Sequence, residues 1–144
     1  MASTLRVELV SPEKVLFSGE ATMVVTRTLG GGDIAFMAGH APFLAALTES
    51  HTRIYLADGA VQDVAVQGGF VQVANNTVSI LSDVAELATD VDVPRAQRAR
   101  DAATAALHAD PADAEAAAAA RRAEARLAAA GGTGVGTGRA SAAH

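Results

Sequence analysis

The chain has 144 residues and no cysteine; half of its residues are hydrophobic, only 3% are aromatic, and its formal net charge is −5. No disulfide framework and no thiolate metal or redox site is possible without cysteine, and an acidic balance argues against a nucleic-acid partner. The start, Met1-Ala2-Ser3-Thr4-Leu5-Arg6, lacks the basic-then-apolar order of a signal peptide, and the uncharged, largely apolar stretch Ile34 to Leu47 is too short to span a bilayer; a soluble chain that meets a membrane only through partners is expected.

Leu5, Val7 and Leu9 alternate with Arg6, Glu8 and Val10, the period of a half-buried strand. Ser11-Pro12-Glu13-Lys14 is a turn, and Val15 and Phe17 resume the alternation. Ser18-Gly19-Glu20 predicts a bulge or bend before a further strand over Ala21 to Arg27. Gly30 to Gly32 predict a mobile loop, and Gly39-His40-Ala41-Pro42 a turn between two short apolar strands, Ile34 to Met37 and Phe43 to Leu47. Thr52, Ile54 and Leu56 alternate up to Asp58-Gly59, a hairpin signal, with Val64 and Val66 on the partner strand. Gly68-Gly69 permits a change of direction, and Phe70 to Ala74, Asn75-Asn76 and Thr77 to Leu81 make another hairpin. Many short strands with no helix between them point to a β-sandwich or flattened barrel over residues 1–88.

The composition then changes. Pro94, just after Asp92 and Val93, opens a helix on which Ala96, Ala99, Ala103 and Leu107 share a face. Asp110 is the expected N-cap of a second helix, Ala112 to Ala130, with Pro111 in its first position, Ala116, Ala120, Ala123 and Leu127 on one face, and Arg121, Arg122 and Arg126 towards its last turns. Two such helices joined by a few residues make an antiparallel hairpin over 89–130. Its alanine faces bury little area, so weak docking and mobility are expected; residues 131–144 read as a disordered tail.

Few residues suggest chemistry. His40 is open to two readings, a catalytic base or a turn histidine bonded to nearby backbone; no nucleophile elbow accompanies it. The four histidines show no ligand spacing, and the glycine runs lack the residues of a phosphate loop. Asp90 and Asp92 are paired carboxylates or simply acids favoured at a helix start. Asp33 is a solvated turn acid or a contact residue.

Ser11-Pro12-Glu13, Phe17-Ser18-Gly19-Glu20-Ala21, Gly39-His40-Ala41-Pro42, Gly68-Gly69-Phe70-Val71 and Asp90-Val91-Asp92-Val93-Pro94-Arg95-Ala96 occur in that order. The ordered set, from about Leu5 to about Leu107, resembles the bacterial epsilon subunit of the rotary F-type ATP synthase. The resemblance implies β + α architecture: an N-terminal β-sandwich of about ten strands followed by the C-terminal two-helix hairpin. It implies a non-catalytic central-stalk subunit of a proton-translocating synthase, peripheral at the cytoplasmic face of the bacterial plasma membrane. Its partners would be the gamma subunit and the c-subunit ring, plus the alpha/beta hexamer when the hairpin is extended to inhibit ATP hydrolysis through Arg121, Arg122 and Arg126. Gly31, Gly32, Asp33 and His40 would face the ring. Glu86, Asp92, Arg95, Arg122 and Arg126 match a family ATP site, but Ala102 stands where that site has a basic residue, and Ala35 and Ala38 stand where the family has Gly and Pro. ATP is therefore expected as a weak regulatory ligand at most, with no cofactor. The alternative is a free-standing nucleotide-sensing regulatory domain.

Overall fold

A computed structural model describes residues 3–131; of the expected tail, all but Gly131 lies outside the described residues. Seven strands, β1 (Leu5–Val10), β2 (Val15–Thr28), β3 (Gly32–Met37), β4 (Phe43–Leu56), β5 (Val61–Ala74), β6 (Thr77–Leu81) and β7 (Ala85–Leu87), precede helices α1 (Val93–Ala109) and α2 (Ala114–Gly131). The pairing order β1-β6-β5-β4-β2 is closed by a β1–β2 ladder, with β3 on β2 and β7 on β5. This flattened, closed sandwich encloses one core, in which Leu5, Val7, Leu9, Val24, Phe36, Ile54, Val64, Val66, Val71 and Ile80 are fully buried.

There are seven strands rather than about ten because β2, β4 and β5 each run unbroken for 14 residues. Signals expected to end strands bend them instead. Ser18, Gly19 and Glu20 stay in register opposite Glu8, Val7 and Arg6, so no bulge forms there. The register shifts lie further on, at Ala21/Met23 and Val25/Thr28 against β4, where β2 leaves β1 for a new partner. The Gly30–Gly32 segment is not a loose loop: it is a tight turn closing the β2–β3 hairpin, with the Gly31 N–H bonded to the Thr28 carbonyl at 3.3 Å. Asn75 and Asn76, at φ 53° and 58°, form the hairpin turn expected between β5 and β6.

In the hairpin, Asp92 rather than Val93 caps α1, accepting the Arg95 N–H at 3.1 Å. The second helix starts later than expected. Asp110 accepts from the Ala112 N–H within the turn, and Asp113 is the residue that accepts from the Ala116 N–H at 3.0 Å and caps α2. No basic residue lies in the last turn of α2, because Arg126 falls short of it. On α1 only Ala96 and Ala103 are buried and Ala99 is exposed; α1 packs chiefly on α2, so a narrow stripe is covered. α2 lies between α1 and the sheet and buries Ala116, Ala123, Ala125 and Ala129.

β5 bends at Gly68-Gly69, both at positive φ (108° and 109°). A Cβ on Gly69 would stand 2.1 Å from the Leu81 carbonyl oxygen and 2.9 Å from the Ser82 Cα, whereas one on Gly68 would meet nothing nearer than 3.8 Å. Gly69→Ala is expected to destabilise the sandwich by about 2–4 kcal/mol, through backbone clash added to strain. Gly68→Ala should cost about 1 kcal/mol, from strain alone. Urea midpoints of the two variants check the order.

Candidate functional site

The outer faces of β4, β5 and β7 carry the polar side chains of the sandwich that matter most. Direct pairing places Glu49 opposite Gln67, His51 opposite Ala65, and Arg53 opposite Asp63, while Glu86 of β7 pairs with Ala65. Along β5, residues 63 to 66 are all buried. Val64 and Val66 belong to the core, so Asp63 and Ala65 point the other way and are covered from outside.

α2 provides that cover with an alanine face flanked by arginines. Arg121 Nε donates to Glu49 Oε1 at 3.2 Å and Arg126 Nε to Glu86 Oε1 at 2.6 Å. Gln67 Nε2 donates to the Arg122 carbonyl at 3.3 Å, and Arg122 itself pairs with Glu115 of its own helix at 3.0 Å. All three arginines expected to brake hydrolysis are thus engaged within the chain. Burial pushes the Glu49 carboxyl up, but its own backbone N–H, Arg121 and Thr48 outweigh this and hold it below the ordinary carboxylate value. Two part-exposed pairs of this kind contribute on the order of 1 kcal/mol each or less.

Beside α2 a cleft of about 600 Å³ opens over β2 and β4, lined among others by Arg27, His51, Arg53, Tyr55, Arg121 and Glu124. At its floor His51 Nε2 meets Asp63 Oδ1 at 2.5 Å, and Arg53 Nε lies 3.8 Å from the same oxygen. None of Glu86, Asp92, Arg95, Arg122 and Arg126 lines this cleft or the groove between the helices near Leu107 and Pro111. Glu86 and Arg126 are bonded to each other, and Asp92 is occupied as a cap.

The four residues expected to face the ring do not share one loop. Gly31, Gly32 and Asp33 stand at one end of β3 and His40 beyond its other end; at about 3.3 Å per residue the strand between them is some 13 Å long. Asp33 accepts from Arg27 Nε across the hairpin at 2.9 Å, which holds that guanidinium above its ordinary value. His40 is a turn histidine: its Nδ1 lies 2.7 Å from the Ala41 carbonyl, and its ring meets Phe36 and Phe43 edge-on. The adjoining Gly39 N–H bonds the Asn76 side chain, whose amide reaches the Thr4 carbonyl. Among the described residues no cluster of three or more His, Cys, Asp or Glu is placed to hold a metal, and no helix is long and apolar enough to cross a membrane.

A second surface was missed by sequence reasoning. Val15 pairs with Val10, Val10 with Leu81, Leu81 with Phe70, and Phe70 with Ala46. Directly paired residues share a face, so these form an apolar row across five strands, extended along β4 by Leu44. Val15, Leu81, Phe70 and Leu44 are 60%, 44%, 54% and 68% exposed. A contiguous exposed apolar surface of this kind marks a protein interface.

Residues 4–88 match the family described as ATP synthase, Delta/Epsilon chain, beta-sandwich domain. The chain is 46% identical over 98 residues to the ATP synthase epsilon chain of Streptomyces avermitilis, covering 68% of this chain and 78% of that one. It is 42% identical over 101 residues to the epsilon chain of Brevibacillus brevis, covering 70% and 76%. In fold it resembles a chain of the Euglena gracilis mitochondrial ATP synthase OSCP/F1/c-ring structure, with a TM-score of 0.75 at 20% identity over 88% of this chain and 81% of that one.

The latch of α2 on the sandwich has a testable pH dependence. A carboxyl whose docked pKa is depressed contributes above its free value and loses that contribution as pH falls through the docked value. Docking is therefore expected to hold at neutral pH and to weaken below about pH 4, beneath the ordinary Glu range. Glu49→Gln and Glu86→Gln should each raise the released fraction about fivefold at neutral pH, and Glu49→Gln should blunt the acid response. The cysteine-free chain accepts a site-specific dye pair on the β4–β5 turn and the α1–α2 turn, and energy transfer between them reads the released fraction.

Proposed function

The chain belongs to the ATP synthase delta/epsilon family and is an epsilon-type, central-stalk subunit, and from that premise we propose how its surfaces divide the work. The sandwich makes the lasting contacts and has no catalytic role. The apolar row Val15–Leu81–Phe70–Leu44 is the seat of the gamma subunit, and the exposed side chains support this most directly, since a monomer gains nothing by holding Phe70 and Leu44 in water. The Gly31-Gly32-Asp33 turn meets the c-subunit ring, and the subunit is peripheral at the cytoplasmic face of the bacterial plasma membrane, held there by the complex. Tied to gamma and ring together, the sandwich makes ring and shaft turn as one body under proton flow.

The hairpin is the brake. Docked, Arg121 and Arg126 are neutralised by Glu49 and Glu86. Released, the same guanidinium groups are free for acidic surfaces of the alpha/beta hexamer. Release exposes mainly alanine, which makes it inexpensive at about 25 cal/mol per Å².

Membranes carrying variants test both roles at once. Phe70→Glu with Leu81→Glu is expected to lower the subunit content of the synthase at least tenfold, as loss of a buried aromatic anchor does. Truncation after Leu107 is expected to leave the subunit in place and to raise ATP hydrolysis, and alanine at Arg121, Arg122 and Arg126 should reproduce most of that rise, since alanine keeps the helix. Wild-type hydrolysis in both would remove the brake from this reading, and undiminished content in the Phe70/Leu81 variant would remove the interface.

ATP is at most a weak regulatory ligand. To bind at Glu86, Asp92, Arg95, Arg122 and Arg126 it must displace the Arg126–Glu86 and Arg122–Glu115 pairs. Calorimetric titration of the isolated chain should give no submicromolar site. A tight isotherm abolished by Arg95→Ala would favour nucleotide sensing as the main role.

A further inference from the structure

Among the described residues, two buried side-chain atoms have no hydrogen-bond partner, Asp63 Oδ2 and Gln67 Oε1. Both belong to the outer face of β5, the face that α2 covers. Such atoms are rare in folded proteins, and each is costly when water cannot reach it. Their occurrence together beneath a helix already held by part-exposed ion pairs calls for a physical account.

The register of the helix on the strand supplies it. Gln67 bonds the Arg122 carbonyl, and Arg126 bonds Glu86, the cross-strand neighbour of Ala65. Four helical residues advance about 6 Å and two strand residues about 6.6 Å. At that pace the last turn of α2 runs towards the Asp63 end of β5. Ala129 is fully buried and Asp63 is 1% exposed. The last turn of α2 carries no basic residue, so that end of the helix brings Asp63 no positive charge. Two groups offset the carboxylate on one oxygen only: His51, whose Nε2 lies 2.5 Å from Oδ1, and Arg53, 3.8 Å away and reaching the open cleft. The other oxygen has nothing.

We propose that Asp63, with Gln67, is a release element built beneath α2: polar oxygens that the docked helix seals from water without satisfying, so that their hydration drives the hairpin off the sandwich. Glu49 and Glu86 hold the helix down, and Asp63 pushes it up. The side chains facing Asp63 are His51 and Arg53 from β4, with Glu49, Arg121 and Glu124 further along the cleft beside α2; the push is that of polar oxygens sealed from water. This rests on the reading that the hairpin leaves the sandwich, but it concerns the docking equilibrium of the free subunit and not the brake.

Hydrogen–deuterium exchange of the isolated full chain tests it, comparing α2 amides with those of β4 and β5. Asp63→Asn keeps the shape, removes the charge, and replaces one carboxylate oxygen by an amide N–H donor. It should slow α2 exchange about 5- to 30-fold, the effect of one or two kcal/mol, with β4 and β5 unchanged. His51→Ala should speed α2 exchange in the wild-type background and have little effect in the Asp63→Asn background. The proposal is overturned if Asp63→Asn leaves α2 exchange unchanged or faster. Loss of protection in β4 and β5 would also overturn it, because Asp63 would then be a structural partner of the sandwich. Altered hydrolysis in assembled synthase bears on the brake alone, so the two readings fail separately.

Discussion

β5 is the strand on which the rest depends. It pairs with β4 along its length on one side and with β7 and then β6 on the other. Between residues 63 and 66 it is buried on both faces, by the core within and by α2 outside. A strand covered on both faces is normally apolar throughout, yet this one places Asp63 and Gln67 outward. The sheet is therefore complete without the helix, and the helix sits on a surface whose polar groups retain an appetite for water. That single mismatch sets the hairpin apart from the sandwich more clearly than any linker does.

The two outer surfaces of the sandwich consequently suit different lifetimes of contact. An apolar row such as Val15, Val10, Leu81 and Phe70 loses nothing on leaving water, so a partner seated there stays. A face bearing Glu49, His51, Arg53, Asp63 and Glu86 must exchange hydration for ion pairs, and in part-exposed positions that exchange comes close to balance. Helix α2 matches that face with alanine, which adds contact without a large hydrophobic gain. Its three arginines lie on carboxylates of the same chain, so an external acidic surface must compete with Glu49 and Glu86 before it can take them.

Much of this was legible in the sequence. Sequence patterning located the strands of the sandwich except β7, Asn75-Asn76 and Asp58-Gly59 marked turns, and the Pro94 and Pro111 regions marked both helices. The errors have physical causes. Ser18-Gly19-Glu20 was read as a bulge or bend, although Gly19 continues its ladder, and Gly68-Gly69 turns β5 without dividing it, Gly69 being required where the strand passes within contact of the Leu81 carbonyl. Asp110 and Asp113 are equally good caps in isolation, and only the closed turn around Pro111 assigns the cap to Asp113. The residues that the resemblance assigns to the ring do not share one loop, because β3 stands between Asp33 and His40. The docking face was invisible because it depends on which residues lie opposite one another across β4, β5 and β7. One signal was present: Asp63 in Val61-Gln62-Asp63-Val64-Ala65-Val66 is an acid in an otherwise good strand sequence, a residue type depleted from strands.

That acid also explains why the arginines of α2 cannot be read in isolation. Considered alone, Arg121 and Arg126 suggest a helix seeking an acidic partner. Considered on the sheet, they already have one, and what decides their availability is the balance between two short ion pairs and the sealed oxygens of Asp63 and Gln67. Terms of this size, each near 1 kcal/mol, individually change a docked-to-released ratio by about fivefold. A hairpin poised between such terms responds to a modest outside contact, whereas one held by a leucine seam of several buried side chains, at about 1.5–3 kcal/mol each, would not. The scarcity of large side chains on the mating faces is thus the physical condition for switching, and the charges decide which pose prevails.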